Sequence, residues 1–203
     1  MIWSDTAWFT DYETNWAEGE FYKVRARYEE SKYGPQLYID RIRPVNKDDA
    51  ADGFDPGMYY SRSRFSSEDM FAELTGIVHE QITELPLQKL VLDILEQYAS
   101  QIKTIAAASR NHHSFTGGFL EHVLSVTKTA CFLADKYQNY YQQMQPPLNT
   151  SLVVAGAVLH DIGKLIELEY RPHGSRYTPA GRLIGHILLG RDLVREHAAR
   201  IED

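Results

Sequence analysis

Only one of the 203 residues is a cysteine, Cys131, which excludes an internal disulfide and a thiolate metal cluster within one chain. It stands in the apolar stretch Ala130-Cys131-Phe132-Leu133, where a thiol is expected to behave as a small buried hydrophobe. No apolar run reaches the roughly 20 residues that a bilayer-spanning helix needs. The N-terminus, Met1-Ile2-Trp3-Ser4-Asp5, has neither the basic start nor the apolar stretch of a signal peptide. The expected location is the cytoplasm, with no membrane partner. Basic residues are also scarce, 21 against 28 acidic ones. The resulting charge of −7 argues against a chain whose main task is to grip nucleic acid electrostatically, while leaving a local basic patch open. Internal repeats and low-complexity segments are missing as well.

What is present is ordinary material for a soluble globular chain, 43% hydrophobic and 24% charged. The length suits one domain, or one domain plus a fragment. Residues 21–28 alternate, with Lys23, Arg25 and Arg27 on one side and Tyr22, Val24, Ala26 and Tyr28 on the other. That period of two predicts a strand with a basic face. Tyr33-Gly34-Pro35 supplies a turn and 37–45 a second strand, so the pair reads as a hairpin. The acidic, turn-rich segment 48–57 reads as a linker.

From Ser66 onward the pattern is helical. Ser66 with Asp69 resembles a capping box for a helix to about Thr83. Leu87, Leu90, Val91, Ile94, Leu95 and Tyr98 keep the spacing of an amphipathic helix. Further helices are predicted over 118–141, over 150–162, and from the Thr178 cap with Pro179 at the first position nearly to the end. Leu168-Glu169-Tyr170 and Arg176-Tyr177 suggest a small hairpin around His173-Gly174.

His160-Asp161 ends a strongly apolar helix. A lone His-Asp dipeptide is a weak signal. In so apolar a setting, though, an imidazole and a carboxylate carry a desolvation cost that a divalent cation offsets. The alternative is a core histidine bonded to a backbone carbonyl beside a helix-ending aspartate. His122 and His186 also lie in apolar helical stretches, and helices of a bundle can aim such side chains at a shared centre. Lys164, just beyond the pair, suits a phosphate oxygen, or else a solvated helix C-terminus. Arg110, His112 and His113 precede Gly117-Gly118 and read as further phosphate contacts or as an ordinary polar loop.

Gly117-Gly118-Phe119-Leu120-Glu121-His122, His160-Asp161-Ile162-Gly163-Lys164 and Gly181-Arg182-Leu183-Ile184-Gly185-His186 together resemble the HD superfamily of metal-dependent phosphohydrolases. More narrowly they are similar to the YhaM-type 3′–5′ exoribonucleases, which join an OB-fold to an HD domain and carry a His112-His113-like pair. The resemblance implies a mainly α chain: an HD-domain helical bundle over 63–203, lacking its C-terminal part, after a small N-terminal β-hairpin region and linker over 1–62, a partial OB-fold. It implies His122, His160, Asp161 and His186 as metal ligands, with Asp161 and Lys164 catalytic and Lys164, Arg110, His112 and His113 on the substrate phosphate. The implied metal is Mn2+ or Co2+; the donor set also accepts Fe, Ni or Zn. The implied reaction is phosphodiester hydrolysis on RNA, with Lys23, Arg25 and Arg27 toward the RNA backbone and Tyr22 or Tyr28 for stacking.

Two departures from that pattern stand out. Asp192, His197 and Asp203 do not stand where the family's last metal-binding aspartate belongs, and the first OB strands have no counterpart. The expectation is a chain truncated at both ends, with impaired activity and open strand edges that invite homo-oligomers. A small-nucleotide phosphohydrolase, or a non-catalytic nucleotide- or RNA-binding module with a relic metal site, are the competing readings.

Overall fold

In the computed structural model, the described residues are 9, 15–17, 20–55, 58–59, 62–107, 115–171 and 174–201. The chain forms two compact units, Met1–Tyr59 and Tyr60–Asp203. It is mainly α, with a small antiparallel hairpin in the first unit.

In the first unit, β1 (Tyr22–Ser31) pairs with β2 (Gly34–Pro44), and Arg25 faces Arg41 while Ala26 faces Ile39, leaving Asp40 as a bulge. The strands run further than the sequence pattern implied. The turn closes at Lys32-Tyr33, because the Ser31 hydroxyl accepts from the Tyr33 amide at 3.1 Å and donates to the Gly34 carbonyl at 3.0 Å. Pro35 therefore lies inside β2, which a two-stranded sheet tolerates because each strand has a free edge.

The expected linker is an anchor. Asn46 caps a 3₁₀ helix, Lys47–Asp52, that buries Asp49 to 2% exposure. Arg43 donates twice to Asp49 at 2.7 Å, Lys23 donates at 2.8 Å and the Asn46 amide at 2.9 Å; Lys23 also binds Asp52. These hydrogen bonds, with Arg43 the largest contributor, hold the Asp49 carboxyl well below the usual carboxylate range. Phe21, Phe54 and Tyr59 pack edge-on and stacked beside it, with ring centroids 5.2–5.9 Å apart.

The second unit is a helical bundle of α1 (Ser67–Gln81), α2 (Leu85–Gln97), α3 (Ala99–Thr104), α4 (Gly118–Tyr140) and α5 (Thr150–Leu159). After these come α6 (Lys164–Glu167), the hairpin β3 (Leu168–Arg171) and β4 (Gly174–Tyr177), α7 (Pro179–Leu183) and α8 (His186–Ile201). The core takes Leu74 and Val78 from α1, Val91, Ile94 and Leu95 from α2, Phe119, Leu120 and Val123 from α4, and Val154 and Val158 from α5. Burial of each such side chain contributes about 1.5–3 kcal/mol. Ser66 and Asn149 cap α1 and α5 by accepting from Asp69 and Leu152 amides.

The continuous helix expected from Thr178 is broken. It stops at Leu183, and Gly185, at φ 80°, turns the chain so that α8 begins at His186. α8 then crosses the turn after α5 at backbone contact: a Cβ on Gly163 would lie 2.0 Å from the His186 carbonyl oxygen and 2.5 Å from the Gly190 nitrogen. That crossing sets the distance between His186 and Asp161.

Gly163→Ala is expected to cost on the order of 3 kcal/mol by forcing α8 away, read as a lowered thermal midpoint; an unchanged midpoint would contradict the close crossing. For Asp49 the folded carboxyl titrates below its unfolded value of about 3.9. Its contribution is therefore complete above that pH and lost as pH falls below it. Amide protection of β1 and β2 is expected to decline on acidification below about pH 4, and to be low at all pH values in Asp49→Asn.

Candidate metal centre

α4 and α5 lie side by side in the core, so His122 on the first turns of α4 faces the end of α5. There His160 and Asp161 occupy the turn that follows the helix, and Asp161 is only 6% exposed. His122 Nε2 and His160 Nε2 are 3.3 Å apart, and each lies 3.3 Å from Asp161 Oδ2. The ligand atoms of His122, His160 and Asp161 all fall within 4.8 Å of one another. The other oxygen, Asp161 Oδ1, is 3.4 Å from His186 Nε2. Lys164, one turn on, donates to Asp161 Oδ2 at 2.7 Å. The structure thus brings together five of the residues singled out from sequence.

The ring orientations are fixed from behind. His160 Nδ1 bonds the Ala157 carbonyl at 2.8 Å, which turns the Nε2 edge of the ring toward Asp161. The backbone bond expected of a core histidine is present, and it also orients the His160 ring toward the carboxylate. His186 Nδ1 bonds Glu167 Oε1 at 3.1 Å, and the same oxygen accepts the His186 amide at 3.0 Å. Glu167 was not foreseen. It is 7% exposed, and it caps the free amide that the break at Gly185 creates while orienting the third imidazole. Its signal in sequence is slight, a carboxylate six residues after Asp161 in an apolar stretch.

Burial opposes ionisation of Asp161, but hydrogen bonds with His160 and Lys164 outweigh it and hold the carboxyl well below the ordinary range. The Asp161 hydrogen bond in turn raises the His160 pKa, against the effect of partial burial. Two ring nitrogens 3.3 Å apart can share at most one proton, so their lone pairs and the carboxylate converge on a place suited to a cation. The donors, imidazole nitrogens with a carboxylate, fit a divalent transition metal.

Other expected residues fall elsewhere. Arg110, His112 and His113 lie outside the described residues. Lys23 is held by Asp49 and Asp52, and Arg27 lies 3.5 Å from Asp40. Tyr22 is half-buried against Trp16, whereas Tyr28 is 61% exposed. His197 is buried against Tyr98, and Asp192 pairs with Arg191.

Residues 119–203 match the HD domain family. The match spans the four residues His122, His160, Asp161 and His186 of the centre. Across 163 residues it is 33% identical to the 3'-5' exoribonuclease YhaM of Listeria monocytogenes serotype 4b (strain CLIP80459), covering 80% of this chain and 48% of the relative. The YhaM proteins of Listeria welshimeri and Listeria innocua are 32% and 31% identical over the same length, with the same shares covered. The chain spans about half the length of the curated relatives it matches. No solved structure matches it.

Because Glu167 orients His186, Glu167→Gln is expected to weaken Mn2+ binding by about 10–100-fold, measured by calorimetric titration. Equal affinity in the variant would show that His186 needs no such support.

Proposed function

We propose that this HD-domain chain hydrolyses RNA phosphodiester bonds from the 3′ end with a divalent metal, Mn2+ or Co2+ by family resemblance. The observation that carries the reading is the convergence of His122, His160 and His186 on the buried carboxylate of Asp161. Those four residues would hold the cation. When bound, it supplies Lewis acidity toward a phosphoryl oxygen and toward the attacking water. The protein's own groups account for the rest. Ala157 and Glu167 keep the His160 and His186 lone pairs forward, so that no reorientation is needed when charge develops. Lys164 places an ammonium beside the donor set, where it would stabilise negative charge on the phosphoryl oxygens. Asp161, ionised throughout the neutral range, holds its ligand oxygens without needing to lose a proton first.

RNA is favoured over a small nucleotide by the relatives' printed activity, and the hairpin of the first unit is read as part of an OB-fold on the same resemblance. The domain division proposed is a β region and linker over 1–62 and the HD domain over 63–203. Among the described residues no helix is long and apolar enough to cross a membrane, and a cytoplasmic location is proposed.

The test is a 5′-labelled RNA incubated with the chain and Mn2+. Progressive shortening from the 3′ end is expected, slowed by at least about a hundredfold in Asp161→Ala. Intact RNA with the wild type, or equal shortening by both proteins, would overturn the reading.

A further inference from the structure

Five basic side chains share one face of the β1–β2 hairpin. Lys23 is the cross-strand partner of Arg43, Arg25 of Arg41, and Arg27 of Tyr38, so the alternation keeps all five on one side. Three of them are neutralised within the hairpin and its anchor. Lys23 and Arg43 bind Asp49 at 2.8 and 2.7 Å, and Arg27 lies 3.5 Å from Asp40. Among the described residues Arg25 and Arg41 make no ion pair and no side-chain hydrogen bond. They face each other directly, in an arrangement that like charges disfavour. The bulge at Asp40 turns that carboxylate toward Arg27. The pair borders an open cleft of about 470 Å3, whose lining takes Lys23 and Arg43 from the same face and Val24 and Ile42 from the alternate positions. The next position on the same face is Tyr38, a residue 45% exposed.

We propose that Arg25 and Arg41 form a clamp for one phosphodiester group of single-stranded RNA. Each guanidinium presents a planar fork to a phosphate oxygen. Two of them on adjacent strands can take the two non-bridging oxygens of one phosphate, whose charge offsets their mutual repulsion. Tyr38 supplies a stacking surface for a neighbouring base. The clamp rests on the RNA reading above and adds a binding site in the first unit, with Arg25 and Arg41 as its contacts and Lys23 and Arg43 committed to the anchor.

Fluorescence anisotropy of the full chain with a short labelled oligouridylate, in EDTA and over a series of salt concentrations, tests it without hydrolysis. Arg25→Gln and Arg41→Gln are each expected to weaken binding about tenfold and to lower the salt slope by about 0.7, the contribution of one single-strand phosphate. The double variant is expected to lose no more slope than either single one, because both arginines serve the same phosphate. Arg25→Lys keeps the charge without the fork and is expected to keep the slope while losing affinity. Lys47→Gln, which removes an equal charge elsewhere on the unit, is expected to change neither. Wild-type affinity and slope in the double variant, additive slopes, or no RNA binding by the wild type in EDTA would each overturn the clamp. Metal-dependent shortening of RNA is read separately, so it can persist when the clamp fails.

Discussion

A carboxylate at the end of an apolar helix stays ionised only if cationic groups and hydrogen-bond donors surround it, and the second unit is arranged around that requirement at Asp161. Its environment is built by α4, α5 and the start of α8, which deliver His122, His160 and His186, and by Lys164 one turn on. Each group would be costly to bury alone. Together they form a cluster of imidazole nitrogens and a carboxylate beside one ammonium, which is the chemistry a divalent ion would complete.

The supports matter as much as the donors. A backbone carbonyl holds His160, and a buried side chain, Glu167, holds His186. The first is local, three residues back along the same helix. The second spans a small hairpin and a broken helix, and it works only because α8 begins anew at His186 and offers an uncapped amide. Backbone contact at Gly163 then sets how near the imidazole comes.

This difference explains what was legible in the sequence. The amphipathic α2 and the well-capped α1 and α5 could be read within a few residues, because their determinants are local. His122, His160, Asp161 and His186 could be read because polar groups in apolar stretches need an explanation. The break at Gly185 could not, since its apolar flanks Ile184 and Ile187 continue the helical pattern through it. Segment 48–57 looked like a solvated acidic linker, yet Asp49 is buried by Lys23 and Arg43, partners supplied by the strands before it. The same contacts remove Lys23 from the exposed basic face that alternation alone suggested. Partner choice between distant residues is what periodicity leaves out.

The new helix start at His186 has a mechanical consequence. An ion held jointly by Asp161 and His186 would add a link between two segments already packed at Gly163 and Gly190, acting as a removable cross-link on α8. Docking of α8 and occupancy of the centre then become two faces of one equilibrium. The buried contact of His197 with Tyr98, further along the same helix, would then contribute to ion affinity without touching the ion.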